Sequence, residues 1–121
     1  MGGVPAVALD LPGASAMLLG GRCLVLGVAI GESTGAATAK ARIRDGTAVT
    51  GTRLVPFTLA ANESVRDWFG DFGFVYEQGV FFELVSGTVE GSVLVVPETI
   101  LGPDGFRKLI YGLHEGTEHV S

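Results

Sequence analysis

Glycine and proline cut the apolar stretches of this chain into short pieces, and the clearest piece repeats with period two rather than 3.6. Nineteen of the 121 residues are glycine. In Thr38-Ala39-Lys40-Ala41-Arg42-Ile43-Arg44, Ala39, Ala41 and Ile43 fall on one face and the cations on the other. That alternation marks a half-buried strand. Residues 16–30 are apolar almost throughout, broken by Gly20-Gly21-Arg22, and predict two strands joined by that turn. Residues 52–59 predict another strand, which Pro56 places at a sheet edge or a bulge. Phe74-Val75-Tyr76-Glu77 and Val80 to Val85, either side of Gln78-Gly79, predict a short aromatic hairpin. Ser86 to Gly91 reads as a turn or bulge, and Ser92 to Val96 as a strand ended by Pro97.

Asp45-Gly46 and Gly102-Pro103-Asp104-Gly105 read as turns, and Phe106 to Tyr111 as a strand in preference to a two-turn helix. The one segment that could coil is Ala60 to Gly70. There Asn62 or Ser64 would cap a short turn that drops Trp68 or Phe69 onto the core. About seven or eight short strands with turns roughly every 8–12 residues predict an all-β chain. The expectation is a single β-sandwich or jelly-roll-like domain over residues 15–112. An extended N-terminal arm (1–14) with Val4, Val7 and Leu9 precedes it, and a polar C-terminal tail (113–121) follows.

Charged residues make up only 17% of the chain and hydrophobic ones 47%, against about 25% charged in an ordinary soluble domain. A disordered acidic chain is excluded by that hydrophobicity. Net charge is −5, which argues against nucleic acid as a partner, because phosphate affinity comes from clustered Lys and Arg. The charge is uneven. The first half carries Arg22, Lys40, Arg42, Arg44 and Arg53 against Asp10, Glu32 and Asp45, while ten of the thirteen acids lie after residue 60. Either strands from the two halves pair and neutralise each other, or the protomer is dipolar and meets a neighbour's opposite face.

Cys23, the single cysteine, sits in an apolar run and reads as a small hydrophobe, with no disulfide framework and no cysteine metal site. Before Arg22 there is no Lys or Arg to make a secretory n-region. Arg22 also spoils the lipoprotein-like outline of Met17 to Cys23, and Met1 to Ala6 lacks the Ser or Thr of a myristoylation signal. No run approaches 18 apolar residues, so no membrane partner is expected. The chain is expected to be made in the cytoplasm.

Residues that carry chemistry are scarce. His114-Glu115-Gly116-Thr117-Glu118-His119 places its histidines five apart across a glycine, whereas a zinc-protease helix needs them four apart on one face. Asp71-Phe72-Gly73 spells a kinase triplet without a Gly-rich loop or catalytic loop and reads as a turn. Asn62-Glu63-Ser64 matches a glycosylation acceptor but reads better as a cap. Glu77, Glu83 and Glu90 could be imagined as an acid–base set, with Glu83 on a solvated strand face as the simpler account. The aromatics from Trp68 to Phe82 have acidic rather than basic neighbours, which favours a core, or a core with an interface patch, over a nucleic-acid platform. No catalytic, cofactor-binding or metal-ligating residue is assigned, and no cofactor.

Over residues 40–96 the order is Ile43-Arg44-Asp45-Gly46-Thr47, Leu54 to Leu59, Ala60-Ala61-Asn62-Glu63-Ser64, Asp67-Trp68-Phe69-Gly70, then Gly79 to Val96. This pattern resembles a group of small proteins encoded by tailed phages, notably those of actinobacteria. The resemblance implies a non-enzymatic β-sandwich virion protein on the capsid surface. It would decorate or stabilise the shell as a homo-oligomer, a trimer in the first instance, in contact with the major capsid protein. A tail or head–tail, receptor-binding component is the alternative, and a jelly-roll enzyme or small-ligand domain a more distant one. The resemblance supplies no catalytic residues.

Overall fold

The computed structural model describes residues 6–51, 54–69, 73–99 and 104–105. It is a sandwich of two antiparallel sheets. The strands are β1 (Val7–Asp10), β2 (Ala16–Gly20), β3 (Cys23–Glu32), β4 (Ala39–Asp45), β5 (Leu54–Leu59), β6 (Ser64–Trp68), β7 (Phe74–Tyr76), β8 (Gly79–Ser86) and β9 (Val89–Pro97). Sheet A runs β1-β9-β3-β6, with β7 also on β3, and sheet B runs β2-β8-β4-β5. The pairs β1·β9, β2·β8, β3·β6 and β4·β5 are the rungs of one long folded-over ribbon with its tip between β4 and β5. Wrapping that ribbon brings β3 against β9 and β4 against β8, which is the jelly-roll arrangement. β7 is an insertion that extends the free edge of β3.

The core lies between the sheets. Val25, Val28, Ile30, Val93 and Val95 from sheet A meet Ala39, Ala41, Ile43, Phe57, Val80 and Phe82 from sheet B. A register slip in the β3–β9 pairing between Val25 and Gly27 explains how Cys23 and Val25 face the same core as Val28 and Ile30. The extra residue reverses the parity of the strand. Without it the apolar set would split between the two faces. Tyr76, 1% exposed, spans the core and donates its hydroxyl to the Ile43 carbonyl at 3.2 Å, so burial leaves its polar tip satisfied. The Cys23 thiol is buried. Burial, and secondarily the Asp45 carboxylate, pushes it up to about 12, so it stays protonated and unreactive.

Several expectations hold in detail. β4 buries Ala39, Ala41 and Ile43 and turns out its cations. β5 is the edge strand its proline requires, with Pro56 opposite Arg42. The 1–14 segment, read as an arm that precedes the sandwich, contributes β1 to sheet A beside β9, with Val7 and Leu9 packed against the core.

Others are corrected. Ser64–Trp68 is a strand on the edge of sheet A rather than a capped helical turn. Asn62 instead sits at φ 63° in the turn before it, and alternate amides of the strand find partners on β3. Phe69 packs on the core as expected, but Trp68 is 62% exposed. Phe74–Tyr76 and Gly79–Ser86 do not form a hairpin: β7 belongs to sheet A and β8 to sheet B. Gly79, at φ 142° and with no room for a Cβ beside the Leu19 carbonyl, makes that crossing. The two strands expected around Gly21 are present as β2 and β3, and they too lie in different sheets. Glu98, Thr99, Asp104 and Gly105 are helical. The tail (113–121), the strand expected at 106–111, the histidine pair, Val4, Asp71-Phe72 and Gly102-Pro103 lie outside the described residues.

Candidate functional site: two ends and two outer faces

Two buried carboxylates sit at opposite ends of the sandwich, Glu32 at 5% and Asp45 at 4% exposure. Glu32 closes β3. It accepts the Thr34 hydroxyl and the amides of Thr34 (3.0 Å), Gly35 (2.7 Å) and Asn62 (2.9 Å). The Thr34 hydroxyl first, then the Asn62 amide, bring its pKa down to about 2, because each donor favours the charged form. One carboxylate thereby fixes both the β3–β4 loop and the β5–β6 turn. Asp45 closes β4 and accepts the Glu77 and Gln78 amides, both at 2.9 Å, which fixes the β7–β8 crossing. Both carboxylates are occupied by backbone donors. Each holds the turns whose amides donate to it.

The outer face of sheet B carries a charge cluster. Arg44 donates to Glu83 at 2.8 Å and to the Gly51 carbonyl at 3.0 Å, and Arg42 lies 3.5 Å from the same carboxylate. The Arg44 bond, ahead of the attraction of both guanidiniums, lowers the Glu83 pKa. Glu83 therefore faces outward as expected, but it is clasped by two arginines and is no free acid. Arg22 and Glu98 pair in the same way across the chain ends of β3 and β9. Three cations of the first half pair with two acids of the second within one protomer, so pairing between the halves offsets part of their charge difference and leaves the sheet B cluster with one positive charge in excess. Beside the cluster, Met17 at 52% and Val85 at 44% are exposed, with Phe81 half-buried opposite Met17.

The outer face of sheet A is built differently. Along β3, Gly27, Ala29 and Gly31 point outward and form a floor almost without side chains. Opposite them on β6 stand Trp68, Arg66 and Ser64, and on β9 Leu94, Ser92 and Glu90. Since β6 and β9 flank β3, their side chains form two walls about 10 Å apart. The result is an open depression of about 400 Å³ over Ala29 and Gly31. Its floor is kept low by close approach: a Cβ on Gly31 would lie 2.8 Å from the Ser64 hydroxyl oxygen. A Cβ on Gly27 would lie 3.0 Å from Cε3 of Trp68, so the indole rests across that glycine while remaining mostly exposed. Among the described residues neither Arg66 nor Glu90 has an ion pair or a side-chain hydrogen bond. Phe74, 44% exposed, stacks tilted on Phe69 at 4.8 Å beyond the Trp68 end.

Of the acids considered from sequence, only Glu90 reaches this depression, while Glu83 lies on the opposite sheet and Glu77 in the β7–β8 turn. Sequence reasoning missed the depression. Its signal was the small-residue alternation Gly27-Val28-Ala29-Ile30-Gly31, which leaves one face of a strand bare. Among the described residues no group of three or more His, Cys, Asp or Glu is placed to hold a metal ion. No protein family, curated protein or solved structure matches the chain.

Proposed function

We propose that the protein is a non-enzymatic structural component of a tailed-phage virion. In this reading it decorates or stabilises the capsid as a homo-oligomer, a trimer in the first instance, in contact with the major capsid protein. The observation that carries this reading is the outer face of sheet B. Met17, Phe81 and Val85 surround an Arg42–Glu83–Arg44 cluster in which both guanidiniums already meet one carboxylate within the protomer, leaving a net charge of +1. Such a face suits a neighbour that brings apolar surface to Met17, Phe81 and Val85 and a carboxylate to the remaining positive charge, to which the exposed Lys40 on the same face of β4 adds. Four strands of about six residues give it roughly 19 by 20 Å, near half the ~800 Å² per partner of a standard interface. A stable assembly therefore also recruits edges and loops, as in a lattice where each copy has several neighbours. The occupied carboxylates Glu32 and Asp45 accord with a rigid scaffold.

Mass spectrometry of purified particles should find the protein at a copy number matching the shell, and cryo-electron microscopy should place it on the outer surface. Absence from particles would overturn the reading. Light scattering on the isolated protein is expected to give a trimer, and Met17→Asp with Val85→Asp should dissociate it. The second reading, a tail or receptor-binding component, is favoured by the open polar depression of sheet A. Labelling at the tail rather than the shell selects it.

A further inference from the structure

We propose that the outer face of sheet A binds a neutral saccharide chain, one ring stacking on Trp68 and the hydroxyls of the next held by Arg66, Glu90 and Ser64. Three independent features of the face converge on that ligand. The first is the indole. Trp68 sets Cε3 of its indole beside Gly27 and leaves most of the ring system exposed. An aromatic face carries negative quadrupole charge, which attracts the weakly positive C–H groups on the flat side of a pyranose.

The second feature is the chemistry of the walls. Arg66 supplies donors, Glu90 acceptors and Ser64 both, with no side-chain partner for Arg66 or Glu90 among the described residues. Vicinal hydroxyls are donors and acceptors at once, so this mixed set satisfies them. Glu32 also lines the depression but has its oxygens taken up by Thr34, Gly35 and Asn62, so the charged groups open to a ligand are the opposed pair Arg66 and Glu90, which select neither an anionic nor a cationic one. The third is shape. The bare floor at Ala29 and Gly31 leaves about 400 Å³ that runs from Arg66 and Glu90 toward Glu32 and Asn62, within the range of small-molecule sites, with Trp68 beside it on the same strand as Arg66. Arg66 and Trp68 are two residues apart on β6, hence about 7 Å along the groove, so one chain can reach both. The depression is open, which suits an internal stretch of a polymer.

This inference does not depend on where in a virion the protein resides. It also goes beyond the sheet B face on which the structural role was argued. Trp68 is the only tryptophan in the chain, so its emission reports on this face alone. Titration with cellohexaose, maltohexaose and the hexamer of N-acetylglucosamine should give a saturable blue shift with at least one, at a Kd of roughly 0.1–1 mM. Calorimetry should find Trp68→Ala about tenfold weaker, and Arg66→Ala or Glu90→Ala roughly three- to tenfold weaker. Ala29→Leu, which fills the floor, should abolish binding while its melting curve matches the wild type. Lys40→Ala on sheet B should bind normally.

No saturable shift with any of the three hexamers would overturn the proposal, as would full binding by Ala29→Leu. An emission shift that follows protein concentration instead of sugar would assign the face to a second copy and overturn it too. None of these results bears on whether the protein is found in particles, so the two readings fail separately.

Discussion

The two outer faces draw on the same kinds of residue and use them in opposite ways. On sheet B, Arg42 and Arg44 close on Glu83 and one of them also ties down the Gly51 carbonyl. On sheet A, Arg66 and Glu90 stand apart on either side of a strand whose outward positions are Gly27, Ala29 and Gly31. The difference is one of strand order. β4 and β8 are direct neighbours, so opposite charges on them meet across one inter-strand spacing of about 5 Å. β6 and β9 are separated by β3, so their charges face each other across twice that distance, over a floor too low to bridge it. Paired charges belong to the scaffold, while unpaired ones are free to meet something else.

The sharpest way to break the sheet A face is Gly91→Ala. Gly91 sits at φ 144° on β9, and an added Cβ would lie 1.9 Å from the Ala29 carbonyl oxygen. Both the strained conformation and the backbone clash act, so a loss of about 3–5 kcal/mol is expected in urea unfolding. Asp45→Ala comes next. It leaves the Glu77 and Gln78 amides without their acceptor and should cost about 2–3 kcal/mol, with faster hydrogen exchange at the β7–β8 crossing.

At the opposite end, Glu32 makes stability depend on pH. Its folded pKa of about 2 lies below the ordinary 4.5, so its contribution is complete above the unfolded value. It is lost as pH falls from about 4.5 through 2. Glu32→Gln should be less stable than the wild type at pH 7 and should lose less over that acid window, as thermal melts at stepped pH would register.

Smaller effects sharpen the comparison between the faces. Arg44→Ala removes a 2.8 Å bond to Glu83 and the tie to Gly51 and should cost about 1–2 kcal/mol. Arg42→Ala, at 3.5 Å and more exposed, should cost under about 1 kcal/mol. On sheet A, Arg66→Ala and Glu90→Ala should each stay within about 0.5 kcal/mol of the wild type. Equal losses on both faces in chemical denaturation would erase the distinction drawn between them.

Much of this architecture was legible before folding. The β4 alternation announced which of its residues would be buried, and Pro56 announced an edge strand, because a proline cannot donate to a second neighbour. The helical turn expected at Ala60 to Gly70 failed for a reason outside that segment. Capping residues and a closing glycine mark where a helix could start and stop, but the free edge of β3 offered Ser64–Trp68 an antiparallel ladder. The Phe74–Val85 hairpin failed similarly. Two strands around a glycine turn look the same in sequence whether they pair or part between sheets, and here the Asp45 carboxylate holds them in the parted arrangement. The bare floor of β3 was written as Gly27, Ala29 and Gly31. Its meaning needed β6 and β9 as walls.

What the sequence determined alone was local: short strands, the turns between them, and the inward and outward faces of a piece such as β4. Those follow from backbone geometry and side-chain period, which act over a few residues. What only the tertiary structure decided was partnership. Strand order set which charges cancel and which remain, and the register slip after Val25 set which β3 residues reach the core. It also placed Trp68 over a glycine forty-one positions away. Pairing over such separations is settled by burying one common core, and no local pattern encodes which neighbour that core will supply.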